Sequence, residues 1–168
     1  MMFSLTALAL VAQGFVAAPV EPPQAKQAKD NPFRRFQLKD LGKTTIKIDG
    51  KHELTAWIMD TDAKRMEGMM FLEEEDFTEK QAMIFVFKEP EPLSFWMKNT
   101  KVPLDIAYVG KDKVINSVYT MSAFDTTSNY ASRQPSMYTV EVKAGLWRKL
   151  GVKPGSKVEI PANVKAKE

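Results

Sequence analysis

The chain has 168 residues, of which 44% are hydrophobic and 27% are charged, a balance that is typical of one globular domain with short tails and excludes a wholly disordered protein. The net charge is only +3 and the lysines alternate with acids, so nucleic acid is not expected as a partner. The chain has no cysteine, which excludes disulfides, thiolate nucleophiles and cysteine metal sites.

The first eighteen residues, MMFSLTALALVAQGFVAA, carry no charged side chain and end in small residues. They are too short and too interrupted to be a good membrane-spanning helix, and they favour a secretory signal peptide over residues 1–18. An uncleaved anchor or a frayed apolar N-terminus stays open, because no Lys or Arg precedes the apolar stretch and Pro19 follows the expected cut. The sequence predicts a secreted, periplasmic or cell-envelope protein with no stable membrane span after removal of the signal.

Composition divides the rest of the chain into three parts. Residues 19–32, PVEPPQAKQAKDNP, are rich in Pro, Ala and Lys and predict a linker. The folded domain is expected over residues 33–161, and residues 162–168 are predicted to be a flexible tail.

The first half of the domain has clear element signals. Two β-prone runs flank Asp49-Gly50, which predicts a hairpin over residues 44–60. Thr61-Asp62 can begin a helix, and the apolar residues that follow at helical spacing predict a short helix over 62–69. Glu73–Glu79 is an acidic loop or turn. Ala82–Phe87, AMIFVF, is apolar on both alternating faces, which predicts a central strand that is covered on both sides.

The second half is also rich in strand signals. Strands are predicted over residues 93–99, 105–109, 114–121, 137–142 and 157–160, and one helical turn over 145–150. Many short strands with few helices favour an α+β fold that is mostly β. The expected architecture is a compact small barrel or sandwich of seven to eight short strands with one or two short helices.

The segment Phe95–Val109 is predicted to be a hairpin whose loop is Thr100–Pro103. In that register Lys98 faces Asp105, an ion pair worth about 0.2–1 kcal/mol if it is exposed. Either charge buried alone would be strongly unfavourable. The amide of Asn99 would bind the loop backbone. Such a pair would explain why charged residues interrupt an apolar segment.

The string FWMKNTKVPLDIAYV, residues 95–109, resembles the signature of the domain of unknown function number 192 family, also called uncharacterised protein family 0127. Arg65–Met70, Ala82–Phe87, Tyr138–Gly145 and Val152–Val158 resemble further segments of that family, in the same order. The departures are Met69 where Leu is usual, Gln81-Ala82 where Gly is usual and Ser156 where Asp is usual. Members of the family often carry a signal sequence, which supports export here, but the resemblance implies no assigned activity.

Few residues suit catalysis or metal binding. His52 is the only histidine, and it lies beside a hairpin turn where a solvated side chain is expected. The acidic cluster Glu73–Asp76 is expected to be a solvated face, since it lacks the spacing of a calcium loop. The sequence therefore predicts no metal site, no cofactor and no catalytic set centred on histidine.

Two carboxylates leave an enzymatic alternative open. Asp105 and Glu141 could be the paired acids of a glycoside hydrolase, which stand about 5 to 9.5 Å apart across a cleft. Glu141 is a candidate because it interrupts the apolar strand 137–142. The favoured interpretation is structural: each acid pairs with a cation, Lys98 or Arg65.

The leading hypothesis is a non-catalytic envelope or extracellular binding module for a small-molecule, sugar or peptide ligand. The polar segment Ser122–Pro135 is long enough to form one side of a ligand mouth. A structural partner of another envelope protein is the third alternative, and the sequence predicts no oligomeric state. The candidate ligand-binding residues are Arg65, Trp96, Lys98, Asn99, Asp105, Tyr130, Ser132 and Arg133.

Overall fold

The computed structural model describes residues 30–168, so the predicted signal peptide and most of the predicted linker lie outside the described residues. Within these residues, nine strands and two α-helices follow one another, with a 3₁₀ helix at Glu74–Asp76. The elements are β1 (Lys43–Ile48), β2 (His52–Met59), α1 (Asp62–Glu67), β3 (Gln81–Glu91), β4 (Ser94–Phe95), β5 (Leu104–Val109), β6 (Ile115–Met121), β7 (Tyr130–Ala131), β8 (Ser136–Lys143), α2 (Leu146–Leu150) and β9 (Val158–Glu159).

Seven strands form one curled half-barrel sheet in the order β6-β5-β8-β3-β2-β1-β9, and β4 pairs with β7 in a small second sheet. The prediction of a mostly β fold with one or two short helices is confirmed. The pairing of β2 with β3 is parallel, whereas the other pairs are antiparallel. A parallel pair needs a crossover connection, and α1 lies within that connection.

The central strand β3 is buried on both faces, as its apolar sequence predicts. Its alternating side chains separate two cores. Ala82, Ile84 and Val86 lie on the first face, in a core that includes Trp147 of α2. Met83 and Phe85 lie on the second face, in a core that continues towards α1 and the small sheet.

Helix α1 begins and ends where its sequence dictates. The Thr61 hydroxyl accepts a hydrogen bond from the Lys64 amide at 3.4 Å, which caps the first turn. The helix ends at Gly68, which has a φ of 46°. A Cβ atom there would lie 3.2 Å from the Phe85 ring, so glycine lets the end of α1 approach the second face of the sheet closely.

The predicted hairpin over Phe95–Val109 is wrong. Only Ser94–Phe95 is a strand in this region, and it pairs with β7. Asn99 adopts a left-handed φ of 57°, so the chain turns out of extended structure before it reaches β5. Both edges of β5 are occupied, by β6 and by β8. No edge is therefore left on which residues 95–99 could pair with Asp105.

The first described residues pack beside the second face. Arg34 is buried and donates from Nη1 to the carbonyl oxygens of Gly68 at 2.9 Å and Met70 at 2.5 Å. At the other end of the chain, Val164 is buried in the first core and the Lys167 amide donates to the Asp60 carbonyl at 2.8 Å. The flexibility of residues 162–168 stays a prediction. Within residues 30–168, neither helix has the length and apolarity that a membrane crossing requires.

Candidate functional site

A cavity of about 700 Å³ opens on the second face of the sheet, which is a size that suits a small ligand. Its floor is made by Phe85 and Phe87 of β3 and by Glu141 of β8. Helix α1 and the turn that follows it form one wall, and Leu93–Trp96 forms another. The site therefore lies between the crossover helix and the small second sheet, where neither element fully covers the second face.

Aromatic and thioether side chains dominate this cavity. The Phe95 ring packs edge-on against Phe85, with 4.9 Å between the ring centroids. Trp96 is 48% exposed and Met66 is 64% exposed, and both line the cavity. Large apolar groups that stay exposed beside a cavity are candidates for ligand contact.

Glu141 is the most unusual polar group of the lining. It is only 4% exposed, and no group within residues 30–168 donates a hydrogen bond to its carboxyl. Burial removes water from the charged form and raises the pKa of Glu141 to about 8. The position of Glu141 on β8 explains why its side chain points to the second face. It lies opposite Met83 and Ile106 on the neighbouring strands, and both of those residues belong to the core of the second face.

The remaining charges of the lining are paired. Asp62 accepts a hydrogen bond from Arg65. Glu67 accepts from the backbone amides of Arg35 at 2.6 Å and Phe36 at 2.9 Å, and the buried Arg34 guanidinium lies 3.5 Å from it. The carboxyl of Glu141 is thus the only acid of the described cavity lining that has no partner.

Arg65 lines the cavity, as the sequence-based hypothesis requires, but its guanidinium is already engaged. Nη1 donates to the Val86 carbonyl at 2.7 Å, and Nη2 donates to the Glu168 carbonyl at 3.1 Å. The guanidinium also lies 4.9 Å from the centroid of the Phe87 ring, a cation–π distance. It contacts neither Asp105 nor Glu141, so the predicted pairing of Arg65 with either acid is wrong.

The loop Ser122–Pro135 contributes to the cavity through Ser128 and Asn129. Asp125 organises the loop: its carboxylate accepts from the amides of Ser128 at 3.0 Å and Thr127 at 2.9 Å, and from the Tyr130 hydroxyl at 2.7 Å. Hydrogen bonds from Ser128, Thr127 and Tyr130 hold the pKa of Asp125 well below its ordinary value. The loop is therefore built around an ionised carboxylate.

The other candidate residues of this region do not line the cavity. Lys98 is exposed, and its ammonium lies 5.2 Å from the centroid of the Trp96 ring, at the edge of the site. Asn99 supplies a turn, and its carbonyl accepts from the Phe71 amide at 2.8 Å. Tyr130 is buried, and the Ser132 hydroxyl accepts from the Leu93 amide at 3.0 Å.

Arg133 is also outside the cavity lining: its side chain is exposed, and its amide donates to the Ser117 hydroxyl at 3.2 Å. Of the eight candidate residues, the structure places Arg65 and Trp96 in the cavity lining and Lys98 beside it. Binding by any of the eight stays a prediction.

Asp105 contradicts the predicted Lys98–Asp105 pair. It is 1% exposed and accepts hydrogen bonds from the Thr120 hydroxyl at 2.6 Å and the Trp147 amide at 3.0 Å. It lies opposite Val142 on β8, and Val142 belongs to the core of the first face. Its role in the fold is to hold the N-terminus of α2 against that face.

The paired-acid alternative is also wrong. Ile106 of β5, not Asp105, lies opposite Glu141. Neighbouring residues of a strand point to opposite faces, so Asp105 belongs to the first face and Glu141 to the second. The sheet separates the two carboxyls, and they cannot act across one cleft. Within residues 30–168 there is also no cluster of three acidic or histidine side chains that could hold a metal ion.

Two features of the site were not predicted as parts of it. The sequence predicts Glu141 as one partner of an ion pair or as an enzymatic acid, not as a ligand-binding residue, although a lone acid in an apolar strand is the signal that identifies it. Arg34 was not singled out, and it fixes the cavity wall through Gly68 and Met70. The pattern Phe33-Arg34-Arg35-Phe36, in which aromatic residues flank two arginines, lies inside the predicted domain and could have indicated that one of the arginines packs against it.

The fold defines the class as small, mostly β proteins built on a curled half-barrel sheet, and in residues 30–168 an aromatic cavity opens on the second face of that sheet. Residues 44–160 match the DUF192 family, described as Uncharacterized ACR, COG1430, so the chain belongs to this family and the resemblance is confirmed. No curated protein matches the chain.

Two crystal structures have the same fold. One is a protein from Sinorhizobium meliloti 1021 that is provisionally described as a transcription regulator: it is 30% identical, has a TM-score of 0.65, and the match covers 71% of this chain and 94% of that one. The other is a protein of unknown function from Novosphingobium aromaticivorans DSM 12444: it is 29% identical, has a TM-score of 0.69, and the match covers 74% and 90% of the two chains.

Proposed function

We propose that this protein is an exported, non-catalytic module that binds a small ligand, or one end of a larger ligand, in the cavity on the second face. The observation that carries the proposal is the cavity itself, with a volume of about 700 Å³ and four aromatic side chains in its lining: Phe85, Phe87, Phe95 and Trp96. Apolar concave sites with a few polar groups are typical of ligand binding.

The chemistry of the lining supports binding over catalysis. Glycoside hydrolysis by paired carboxyls needs a second acid positioned across the substrate. Asp62 and Glu67 are engaged by arginines, and Asp105 belongs to the other face. Among the described residues the lining holds no histidine or lysine. Glu141 is therefore an isolated acid, which suits recognition better than turnover.

Two other functions have weaker support. The provisional description of the Sinorhizobium relative could suggest nucleic-acid binding, but the cavity lining holds three acids and one arginine. A structural partnership with another envelope protein would use the exposed Met66 and Trp96 as a contact surface. These two side chains border the same cavity, so partner binding would be one outcome of the experiment below.

The binding proposal can be tested by a thermal-shift screen of sugars, peptides, amines and small acids. We expect at least one class to raise the melting temperature, because a ligand that binds only the folded state stabilises it. The variant Trp96→Ala should weaken that binding about tenfold or more, since it removes the aromatic side chain at the rim. Phe33→Ala is the matched control, because Phe33 is an exposed aromatic that does not line the cavity.

The control should keep the affinity of the wild-type protein. Equal ligand affinity in the wild type, Trp96→Ala and Phe33→Ala would place binding elsewhere and overturn the proposal. A screen without any shift, combined with co-purification of a partner protein that Trp96→Ala releases, would favour the structural partnership instead.

Export is supported by the uncharged apolar stretch over residues 1–18. A tagged protein expressed in a bacterial host with two membranes should be recovered from the periplasm with a mature N-terminus at Pro19, as measured by intact mass. Recovery of the full chain from the cytosol alone would contradict export and would leave the binding proposal intact.

A further inference from the structure

We propose that the ligand carries an organic cation, either a protonated amine or a quaternary ammonium group on an apolar body, and that this cation lies between Glu141 and the aromatic rings of the cavity. The inference rests on the proposed function and names the chemical class of the ligand. It depends on three features of the described site: one unpartnered acid, aromatic faces and the balance of charge.

Glu141 provides the first argument. Its side chain is more than nine-tenths buried, lines the cavity and receives no hydrogen bond within residues 30–168. A buried polar group without a partner is unfavourable, because it loses its contacts with water and gains none from the protein. A cationic ligand would supply both a hydrogen-bond donor and the opposite charge at this position.

The aromatic rings provide the second argument. The faces of aromatic rings attract cations, and two rings of this cavity already do so within the protein. The Arg65 guanidinium lies 4.9 Å from the Phe87 centroid, and the Lys98 ammonium lies 5.2 Å from the Trp96 centroid. Both rings also line the cavity, together with Phe95. Glu141 and Phe87 at the floor thus form, with Phe95 and Trp96 at one wall, a site that combines an acid with aromatic rings.

The charge balance of the lining gives the third argument, because it favours a cationic ligand over an anion or a sugar. Asp62 and Glu67 are compensated by arginines, so Glu141 holds the only uncompensated charge that the lining can develop. An anionic ligand would be repelled whenever Glu141 is ionised, whereas a cationic ligand favours the ionised form. A sugar would need several free hydrogen-bonding groups, but the Ser94 hydroxyl already donates to Asn129 at 2.8 Å.

The titration of Glu141 makes the inference testable. Burial raises the pKa of Glu141 to about 8, so its carboxyl is largely protonated at pH 7. A bound cation favours the carboxylate, and its binding therefore releases a proton. The other titratable groups that face this space are Asp62, Arg65 and Glu67 from the α1 wall, with Tyr108 beside Glu141 on β5. Lys143, on the same face of β8, is bound to Glu74.

The experiment compares choline with its uncharged carbon isostere, 3,3-dimethylbutan-1-ol. Binding to the full domain is followed by ¹³C NMR of the methionine methyl groups, since Met66, Met69 and Met70 line the cavity. We expect choline to bind about ten times more tightly than the isostere at pH 8. Because choline has a fixed charge, its affinity should rise between about pH 6 and pH 9 only as Glu141 loses its proton.

The variant Glu141→Gln isolates the acid. Glutamine resembles the protonated carboxyl in shape, so the fold should persist, while choline binding should fall about ten- to a hundredfold and lose its pH dependence. Glu75→Gln, which changes an exposed carboxylate outside the cavity lining, should leave choline binding unchanged.

Equal binding of choline and the isostere, retention of choline binding by Glu141→Gln, or no binding of choline at tens of millimolar would each overturn the cation inference. The proposed function would still stand if the isostere or another neutral ligand shifted the cavity methionines and Trp96→Ala removed that shift. Methionine shifts that Trp96→Ala leaves unchanged would contradict the proposed function itself.

Discussion

Glu141 combines burial with access to a cavity. An acid in such a position destabilises the folded protein much less in its neutral form than in its charged form, because the surrounding phenyl and thioether groups replace water with a medium of low dielectric constant. The Tyr108 hydroxyl close by has its own pKa raised, chiefly by burial and then by the charge of Glu141. The two groups therefore favour a neutral cavity floor when no ligand is present.

The titration of Glu141 predicts how stability depends on pH. Its pKa is about 8 in the folded protein and 4.5 in the ordinary, unfolded reference. Below about pH 4.5 the Glu141 carboxyl is protonated in both the folded and the unfolded state, so its titration does not lower the free energy of unfolding. Between about pH 4.5 and pH 8 the unfolded state releases its proton and the folded state does not, so the free energy of unfolding decreases as pH rises.

Glu141→Gln should remove this decrease. The variant and the wild-type protein should be equally stable near pH 4, and the variant should become more stable by an amount on the order of a few kcal/mol by pH 8. Urea unfolding at a series of pH values measures the difference, with Glu75→Gln as a control that follows the wild-type curve. Parallel curves for wild type and Glu141→Gln would show that Glu141 is not held neutral in the folded state.

Residue patterns predicted Glu141 and Asp105 as unusual acids but not the faces on which they lie. The strand β8 is buried on both faces, so burial alone could not say which side Glu141 would share with an opening. The predicted partner of Asp105 lies seven residues earlier in the chain, yet its observed hydrogen-bond partners lie fifteen and forty-two residues later. Long-range contacts of this kind depend on the order of strands in the sheet, which local sequence does not contain.

At the scale of elements, the sequence predicted the structure where hydrogen bonds are local. The hairpin β1–β2 is confirmed, with Ile48 opposite His52 across the predicted turn. The predicted strand over 93–99 is wrong beyond Phe95, because the backbone there forms hydrogen bonds with other loops. The Met97 amide donates to the Asp125 carbonyl at 2.9 Å, and the Asn99 carbonyl accepts from the Phe71 amide at 2.8 Å.

The loop Ser122–Pro135, which contributes Ser128 and Asn129 to the cavity lining, depends on Asp125 for its structure. Replacing Asp125 with Ala removes the acceptor of the Thr127 and Ser128 amides and of the Tyr130 hydroxyl. Hydrogen exchange at Thr127 and Ser128 should become faster, because these amides lose their protection. Ligand affinity should fall several-fold, since Ser128 lines the cavity.

Asp112→Ala is the matched control for the loop variant. The Asp112 carboxylate accepts from the Val114 amide at 3.1 Å in the turn between β5 and β6, which does not line this cavity. Exchange at Val114 should become faster while ligand affinity stays at the wild-type value. Unchanged exchange at Ser128 in Asp125→Ala, or an equal loss of affinity in both variants, would contradict the role assigned to Asp125.

At the scale of the whole molecule, one sheet separates a closed core from an open one. The first face is completed by Leu146 and Trp147 of α2 and by the C-terminal residues Ile160 and Val164. The second face is covered only in part by α1 and the small sheet, and the space left over is the cavity. We infer that the first core stabilises the scaffold and that the second supplies the binding surface.

This division predicts that Asp105, on the closed side, contributes to stability and not to binding. Asp105→Ala would leave the Thr120 hydroxyl and the Trp147 amide without their acceptor, which should lower the free energy of unfolding by about 2–4 kcal/mol. Asp105→Asn should lower it less, because the amide can still accept from Trp147 and donate to Thr120. Lys98→Ala, which removes an exposed side chain, should change it by less than about 0.5 kcal/mol.

Urea unfolding measures these stabilities, and the cavity ligand should bind the folded fraction of the Asp105 variants with wild-type affinity. A large loss of stability in Asp105→Ala with a small loss in Lys98→Ala is expected from the observed fold, whereas the predicted hairpin would pair the two side chains. Equal losses in Lys98→Ala and Asp105→Ala, with a double variant no worse than either one, would indicate that the two side chains interact after all. Loss of ligand affinity in a fully folded Asp105→Asn protein would show that the two faces of the sheet are coupled, because Asp105 reaches no atom of the cavity directly.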